Sequence, residues 1–325
     1  MPHFERSFKA ACPQIKFYSH QDELWDKPWA AKEYIVDAHA LSQKPHPKAD
    51  YLMGDPENWR SLFYKWVAEN VPAYSEQNPI LIAFESADAA QLWRYPLSYD
   101  TNEFVATFGR LLRFREDIRR IAGTILYSMS SQHDLDLDLG VSVQPNKFYG
   151  AHLRTASDAP TNWWPGYESQ AKDYFNHVEE SKLSLIYLTS GSPTDAERFR
   201  ETAASKGRTV VTKDILLSGE DYTSEREEMK NLRWDQLGAI DFLVLLRSSQ
   251  FGGMFESSFS WNVALVRHIV ANGGKWVPIT EGKEGQGLRE GEEEGPASFR
   301  DSLSSVFGKG HMNPIEWLFP LGEYP

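Results

Sequence analysis

From about residue 140 the chain alternates, and that alternation limits its possible folds more than any other feature. Short β-rich runs, FYGAHLR, LSLIYLTSG, RTVVTKDIL, AIDFLVLLRSS and KWVPIT, follow one another. Amphipathic segments separate the first four: GYESQAKDYFNHVEES, PTDAERFRETAASKG and a stretch around REEMKNLRWDQLG. Strand and helix in strict alternation predict a parallel sheet with helices on both faces, because parallel strands need a crossover that covers the sheet. The second amphipathic segment carries helix punctuation, with Thr194 and Glu197 at capping-box spacing and Gly207 where the helix should stop. The expected architecture is α/β, with a Rossmann-like domain over residues 140–325.

Residues 1–139 read as a separate, atypical N-terminal domain. The first 78 residues are irregular, and QKPHPKADY and ENVPAYSEQNP read as loops. Between them NWRSLFYKWVAEN has helical spacing through Trp59, Leu62, Phe63 and Trp66, and NPILIAFE then reads as a short buried strand. Over 101–131 the apolar residues Phe104, Phe108, Leu111, Leu112, Ile118, Ile121 and Ile125 predict one or two helices. The Arg-rich face there (Arg110, Arg113, Arg115, Arg119, Arg120) stands beside Glu116 and Asp117 and reads as solvated charge. Residues 281–296, EGKEGQGLREGEEEGP, lack periodicity and read as a loop.

A formal net charge of -12 argues against nucleic acid and anionic membranes as partners, so an anionic small ligand would need a local positive pocket. The single cysteine, Cys12, cannot form an intrachain disulfide. The first twenty residues lack the apolar core of a secretion signal, and no apolar run reaches the roughly 20 residues of a membrane helix. The expectation is a soluble cytoplasmic protein.

In an open parallel sheet, ligands bind where strand carboxyl ends meet helix N-termini, and three such ends here carry chemistry. In GAHLRTASD, period two puts His152 and Arg154 on one strand face with Asp158 in the loop beyond. That suits a pyrophosphate grip, or an Arg–Asp ion pair beside a core histidine. In YLTSGSPTD the strand ends at Thr189, Ser190 and Gly191, residues that can hydrogen-bond a nucleotide or simply make a turn. In FGGMFESSFSW, Gly252 and Gly253 precede Ser257, Ser258 and Phe259, which open a helix running to Gly273-Gly274. A helix N-terminus offers unpaired N–H groups and partial positive charge to a phosphate.

Other nucleotide and metal signatures are missing. There is no Gly-Lys-Ser/Thr phosphate loop, no G-x-G-x-x-G, no G-x-S-x-G elbow and no zinc spacing. HDLDLDLG would place Asp134, Asp136 and Asp138 on one strand face, a pattern that serves a divalent cation, or is a solvated edge or loop. The expectation is that no metal and no cofactor is used.

Taken in order, HLRTASD, IYLTSG and AIDFLVLLRSSQFGGMFESSFSW resemble the motifs of the GDP-fucose O-fucosyltransferase-like superfamily of GT-B glycosyltransferases. The resemblance covers roughly residues 140–272, and the wording is closest to intracellular fungal members, including RTVVTKDILL and WDQLGAIDFLVLLRS. It implies a GT-B-like fold and a nucleotide-sugar donor, GDP-linked, whose sugar passes to a hydroxyl acceptor by metal-independent inversion. It further implies that Arg154 holds and stabilises the departing diphosphate, while His152 and Asp158 shape the nucleotide pocket. Thr189 to Gly191 and Asp241, before the third strand, would line the base and ribose side. Ser257, Ser258 and Phe259 would receive the phosphates, with Gly252 and Gly253 allowing close approach.

Two departures from the family pattern stand in the sequence. The Gly- and Asn-rich loop that opens family members is absent, the first glycine being Gly54, and Ser249-Gln250 replaces an acidic residue before Phe251. No catalytic base is assigned, and Glu85, Asp88 and Asp100 read as structural carboxylates. A relative that keeps the nucleotide pocket as a binding module, or serves other chemistry in a biosynthetic pathway, is the alternative.

Overall fold

Every residue of the strand Tyr149–Leu153 (β3) is buried, because it lies inside a six-stranded sheet with helices on both sides. The computed structural model describes residues 27–36, 56–75, 79–84, 114–157, 159, 165–275 and 299–308. Contacts divide the chain into two compact units, Met1–Arg113 with Asn313–Glu323, and Phe114–Met312 with Tyr324–Pro325.

In the first unit, β1 (Glu33–Val36) pairs in parallel with β2 (Leu81–Phe84), Glu33 opposite Leu81. Helix α1 (Pro56–Asn70) lies between them in sequence, the connection that a parallel pair requires. Both α1 and β2 match the sequence expectation. Residues 85–113, with Glu85, Asp88 and Asp100, lie outside the described residues.

The second unit opens with α2 (Glu116–Gln132), which buries Ile118, Ile121 and Ile125 as the spacing predicts. Then come β3, α3 (Tyr167–Ser181), β4 (Leu185–Ser190), α4 (Pro193–Ser205), β5 (Thr209–Val211), the single turn α5 (Lys213–Leu216), α6 (Thr223–Lys230), α7 (Trp234–Leu246), β6 (Gln250–Met254), α8 (Ser258–Ala271), β7 (Phe299–Arg300) and β8 (Ser304–Phe307). The sheet order is β5-β4-β3-β6-β8-β7, parallel except for the β7–β8 pair. The chain winds outward from β3 to β5, then returns across α7 to lay β6 on the other flank of β3. That reversal is the topological switch point of a doubly wound fold.

Alternation assigns the two faces. Tyr149, Ala151, Leu153, Ile186 and Leu188 join Tyr174, Phe175 and Phe199 in the core beneath α3 and α4. Gly150 and Tyr187, paired in register, turn the opposite way: a Cβ on Gly150 would meet Leu245, and the Tyr187 hydroxyl reaches Asp241, both on α7. His152 and Thr189, two residues further on, share that second face.

Three readings of the sequence need correction. AIDFLVLLRSS is not the third strand, since Trp234–Leu246 is a helix, and QFGGM forms the strand instead. Packed between the sheet side, α2 and α8, α7 is apolar nearly all round, and such a run has no periodicity to separate it from a buried strand. α4 is capped by Ser192, whose hydroxyl accepts from the Asp195 N–H at 3.3 Å, with Pro193 in the first turn, and not by Thr194. Its stop is as expected, Gly207 taking φ +68. HDLDLDLG is irregular and not a strand; Asp138 Oδ1 accepts from the Gly140 N–H at 2.8 Å, an Asx-type turn. Of the Arg-rich face, Arg120 pairs with Glu225 at 3.2 Å and also with Glu228 on α6, while Arg110 and Arg113 lie outside the described residues. KWVPIT, apart from Lys275, and the loop 281–296 also lie outside them, and β7–β8 went unread.

One buried cation ties this flank together. The Arg267 guanidinium on α8 is fully buried and donates to the Leu246, Ser248 and Leu303 carbonyls at 2.9, 2.7 and 2.7 Å and to Ser304 Oγ at 3.0 Å. It thereby collects the carbonyl end of α7, where a cation is favoured, and holds β6 and β8 in register. Burial pulls its pKa down to about 10, so it stays charged near neutrality. Replacing it leaves several buried carbonyls unpaired, so Arg267→Met is expected to lose at least about 3 kcal/mol of stability in urea unfolding.

Candidate functional site

The carboxyl ends of β3 and β6 lie side by side at the switch point, with Ala151 opposite Gly252. Past β6 the chain turns at Phe255–Ser257 and enters α8. The fully buried Trp261 fixes that turn by donating its indole N–H to the Phe255 carbonyl at 2.6 Å. Ser257 is the N-cap, its hydroxyl accepting from the Ser260 N–H at 3.3 Å. The first turn therefore leaves the Ser258 and Phe259 N–H groups to an outside acceptor. At its far end α8 stops as predicted, with Gly273 and Gly274 at φ +68 and +83.

The paired glycines let α8 come this close. They lie inside β6 and not after it, and protein side chains cover both. A Cβ on Gly253 would stand 2.5 Å from Ser260 Cβ, and one on Gly252 would stand 2.0 Å from the Tyr149 hydroxyl. The close approach they permit in this structure is that of Ser260 and Tyr149 to the strand. Ser260 Oγ consequently accepts from the Met254 N–H at 3.1 Å and lies 2.8 Å from His152 Nδ1. The His152 ring also lies 4.5 Å from that of Phe259, and Ser257 Oγ is 3.5 Å from Nδ1. Burial first, and the charge of Arg154 second, lower the His152 pKa to about 3. His152 is a neutral strut between β3 and the first turn of α8.

Arg154, half-buried, follows β3, and a side-chain amide clamps its backbone. Gln170 Oε1 accepts from the Arg154 N–H at 2.9 Å, while Gln170 Nε2 donates to the Arg154 carbonyl at 3.0 Å and to the Pro165 carbonyl at 2.7 Å. The Tyr174 hydroxyl donates to the His152 carbonyl at 2.5 Å. Two side chains of α3 thus continue the hydrogen bonding of β3 past its last sheet partner. Asp158 lies outside the described residues.

The second motif reaches the same neighbourhood through register, His152 opposite Thr189 and Leu153 opposite Ser190. Gly191 abuts the loop after β3, since a Cβ there would be 2.9 Å from that of Ala156. Ser190 Oγ accepts from the Ser192 N–H at 3.1 Å and helps form the turn.

Asp241 is placed differently from the expectation. It is in the body of α7 and not ahead of a strand, and both carboxylate oxygens are engaged, by the Tyr187 hydroxyl at 2.6 Å and Lys213 Nζ at 2.5 Å. This buried ion pair ties α7 to β4 and to the turn after β5.

Four site residues escaped the sequence reading: Gln170, Tyr174, Glu256 and Ser260. Gln170 had a signal, a polar residue in the apolar stripe of α3 with Ala171, Tyr174 and Val178. Among the described residues no cluster of three or more His, Cys, Asp or Glu side chains is arranged to hold a metal ion, and no helix is long and apolar enough to cross a membrane. A cavity of about 480 Å³ opens at the opposite, amino end of the sheet, lined by Asn146, His177, Gln250, Arg300 and Asp301 among others. It contains none of the candidate nucleotide-site residues, although Ser249 and Gln250, which depart from the family pattern, line it.

No protein-family model and no curated protein matches the sequence. Among solved structures, POFUT1 in complex with GDP is similar at 12% identity and a TM-score of 0.39, covering 94% of this chain and 79% of that one. POFUT1 in complex with GDP-fucose is similar at 13% identity and a TM-score of 0.38, covering 79% of this chain and 63% of that one. Likenesses of that degree carry nothing about activity.

Two predictions follow from this geometry. Gly253→Ala pushes the first turn of α8 off β6, so it should lower the urea midpoint with no ligand present, by about 1–3 kcal/mol. His152 stays neutral when folded but accepts a proton near the ordinary imidazole value of 6.5 when unfolded, so its contribution is lost as pH falls from 6.5 toward 3. The stability gap between wild type and His152→Asn should therefore narrow as urea unfolding is repeated at lower pH across that window.

Proposed function

We propose that the chain is a glycosyltransferase that takes a sugar from a nucleoside-diphosphate donor, GDP-linked, and passes it to a hydroxyl acceptor. The observation that supports this reading is the contact of the neutral His152, two residues before Arg154, with Ser260 in the first turn of α8 at the switch point. A permanent cation, the Ser258 and Phe259 N–H groups and the positive end of a helix suit an anion with two phosphates. The order of the HLR, TSG and SSF motifs supports a sugar nucleotide as that anion.

Charge develops on the diphosphate as the glycosidic bond breaks. Donors already aimed at its oxygens stabilise that charge without reorganising, and this is the contribution a metal makes elsewhere. The acceptor hydroxyl attacks from the opposite face, with inversion. A cytoplasmic location is part of the same proposal.

Calorimetry with GDP, UDP and their sugars, paired with a donor-hydrolysis assay, tests it. Binding of a GDP-sugar with turnover is expected, and Arg154→Ala should weaken binding by about tenfold to a hundredfold, the value of a charge-assisted hydrogen bond. The absence of the Gly- and Asn-rich loop favours a second reading, a nucleotide-binding module, which binding without turnover would support. No nucleotide binding at all would overturn both.

A further inference from the structure

Two neighbouring strand ends hold buried oxygens that lack a hydrogen-bond partner. They are the Thr155 hydroxyl, two residues past β3, and both carboxyl oxygens of Glu256, two residues past β6. Buried polar groups are almost always paired, so unpaired ones past neighbouring strand ends point to another molecule that completes the bonding. Both residues follow the two strands that meet at the switch point, the position where open α/β sheets take ligands.

Among the described residues, the groups around Glu256 give it no counter-charge. Its Oε2 lies toward Gly308, past β8, where an added Cβ would be 3.8 Å away, with Phe255 and Pro165 closing the same space. From α3 the facing titratable group is Tyr174, whose pKa is raised first by burial and partly by the Glu256 charge. Gly308 and Pro165, from the β8 end and the loop before α3, bring no charge. Burial thus dominates, and the carboxyl is pushed up to about 7.

We propose that Glu256 contacts the bound ligand as a neutral acid, its carboxyl O–H donating to an anionic oxygen of the diphosphate, with the Thr155 hydroxyl as a second contact. The proposal rests on the diphosphate reading above. Ionised, the same group would repel the anion that Arg154 and α8 attract. Donor binding therefore takes up one proton wherever free Glu256 is ionised, and the crevice closes to the donor in alkali. His152, neutral from about pH 3 upward, does not titrate in that range.

The test is calorimetric titration of the full chain with GDP-fucose, a pyrophosphate diester that does not itself titrate near neutrality, from about pH 6 to 8.5. Affinity is expected to level off on the acid side and to fall about tenfold per pH unit above about 7, the slope of one linked proton. Heats measured in two buffers of different ionisation enthalpy should approach one proton taken up per site at the alkaline end. In Glu256→Gln, where a neutral amide replaces the acid at nearly the same size, the slope should vanish. A wild type whose affinity is flat or rises with pH, or a Gln variant that keeps the slope, overturns this role and leaves the diphosphate reading standing. No binding at any pH overturns both.

Discussion

The buried guanidinium of Arg267 is the contact on which the geometry of the crevice depends. It has no carboxylate in hydrogen-bond contact and is held by carbonyl oxygens and one hydroxyl drawn from α7, the turn into β6, and β8. A charge so far from water persists only if every donor is used, and the guanidinium fork suits several carbonyls at once. Its effect is positional. It holds the end of α7 against the start of β6, so β6 enters the sheet beside β3 at the height that puts Met254 and the turn after it next to His152.

Small side chains then complete the site. Gly253 removes the bulk that would hold α8 away, Ser260 fills the space and bonds both Met254 and His152, and Trp261 anchors the turn between strand and helix. On the other side Gln170 and Tyr174 hold the backbone of residues 152–154 as a sheet partner would. The result is an exposed Ser258 at the start of α8 and a half-buried Arg154 past β3, following the paired strands β6 and β3. The polar groups that build it are neutral or already paired, apart from Thr155 and Glu256, whose oxygens are sealed without partners.

How much of this was legible depended on the physics of each element. α2, α3 and α4 were readable because each keeps one polar face, α8 because serines and a glycine pair bound it, and β3 and β4 because β-rich runs ended in turn residues. α7 was misread as a strand because helices and sheet surround it and remove the polar face that reveals a period of 3.6. β8 offers only SSVF, too short and too polar to be noticed before its pairing with β6 is known. The HLR, TSG and SSF motifs all fall at the carboxyl end of the sheet, since each follows a strand. The glycine pair and Asp241 were harder, because their surroundings come from residues distant in sequence: Tyr149 and Ser260 for the glycines, Tyr187 and Lys213 for the aspartate. Arg267 left no trace in the sequence, since one arginine in an apolar helix announces neither its burial nor its carbonyl partners.

The central claim is that a nucleoside diphosphate binds between the carboxyl ends of β3 and β6, against the first turn of α8. Amide hydrogen exchange, followed with and without GDP, tests it most directly. The account predicts slowed exchange at residues 153–156 and 256–260, strongest at the Ser258 and Phe259 amides, which otherwise have no acceptor. Protection confined to the amino end of the sheet, around residues 143–146 and 300–303, would contradict it.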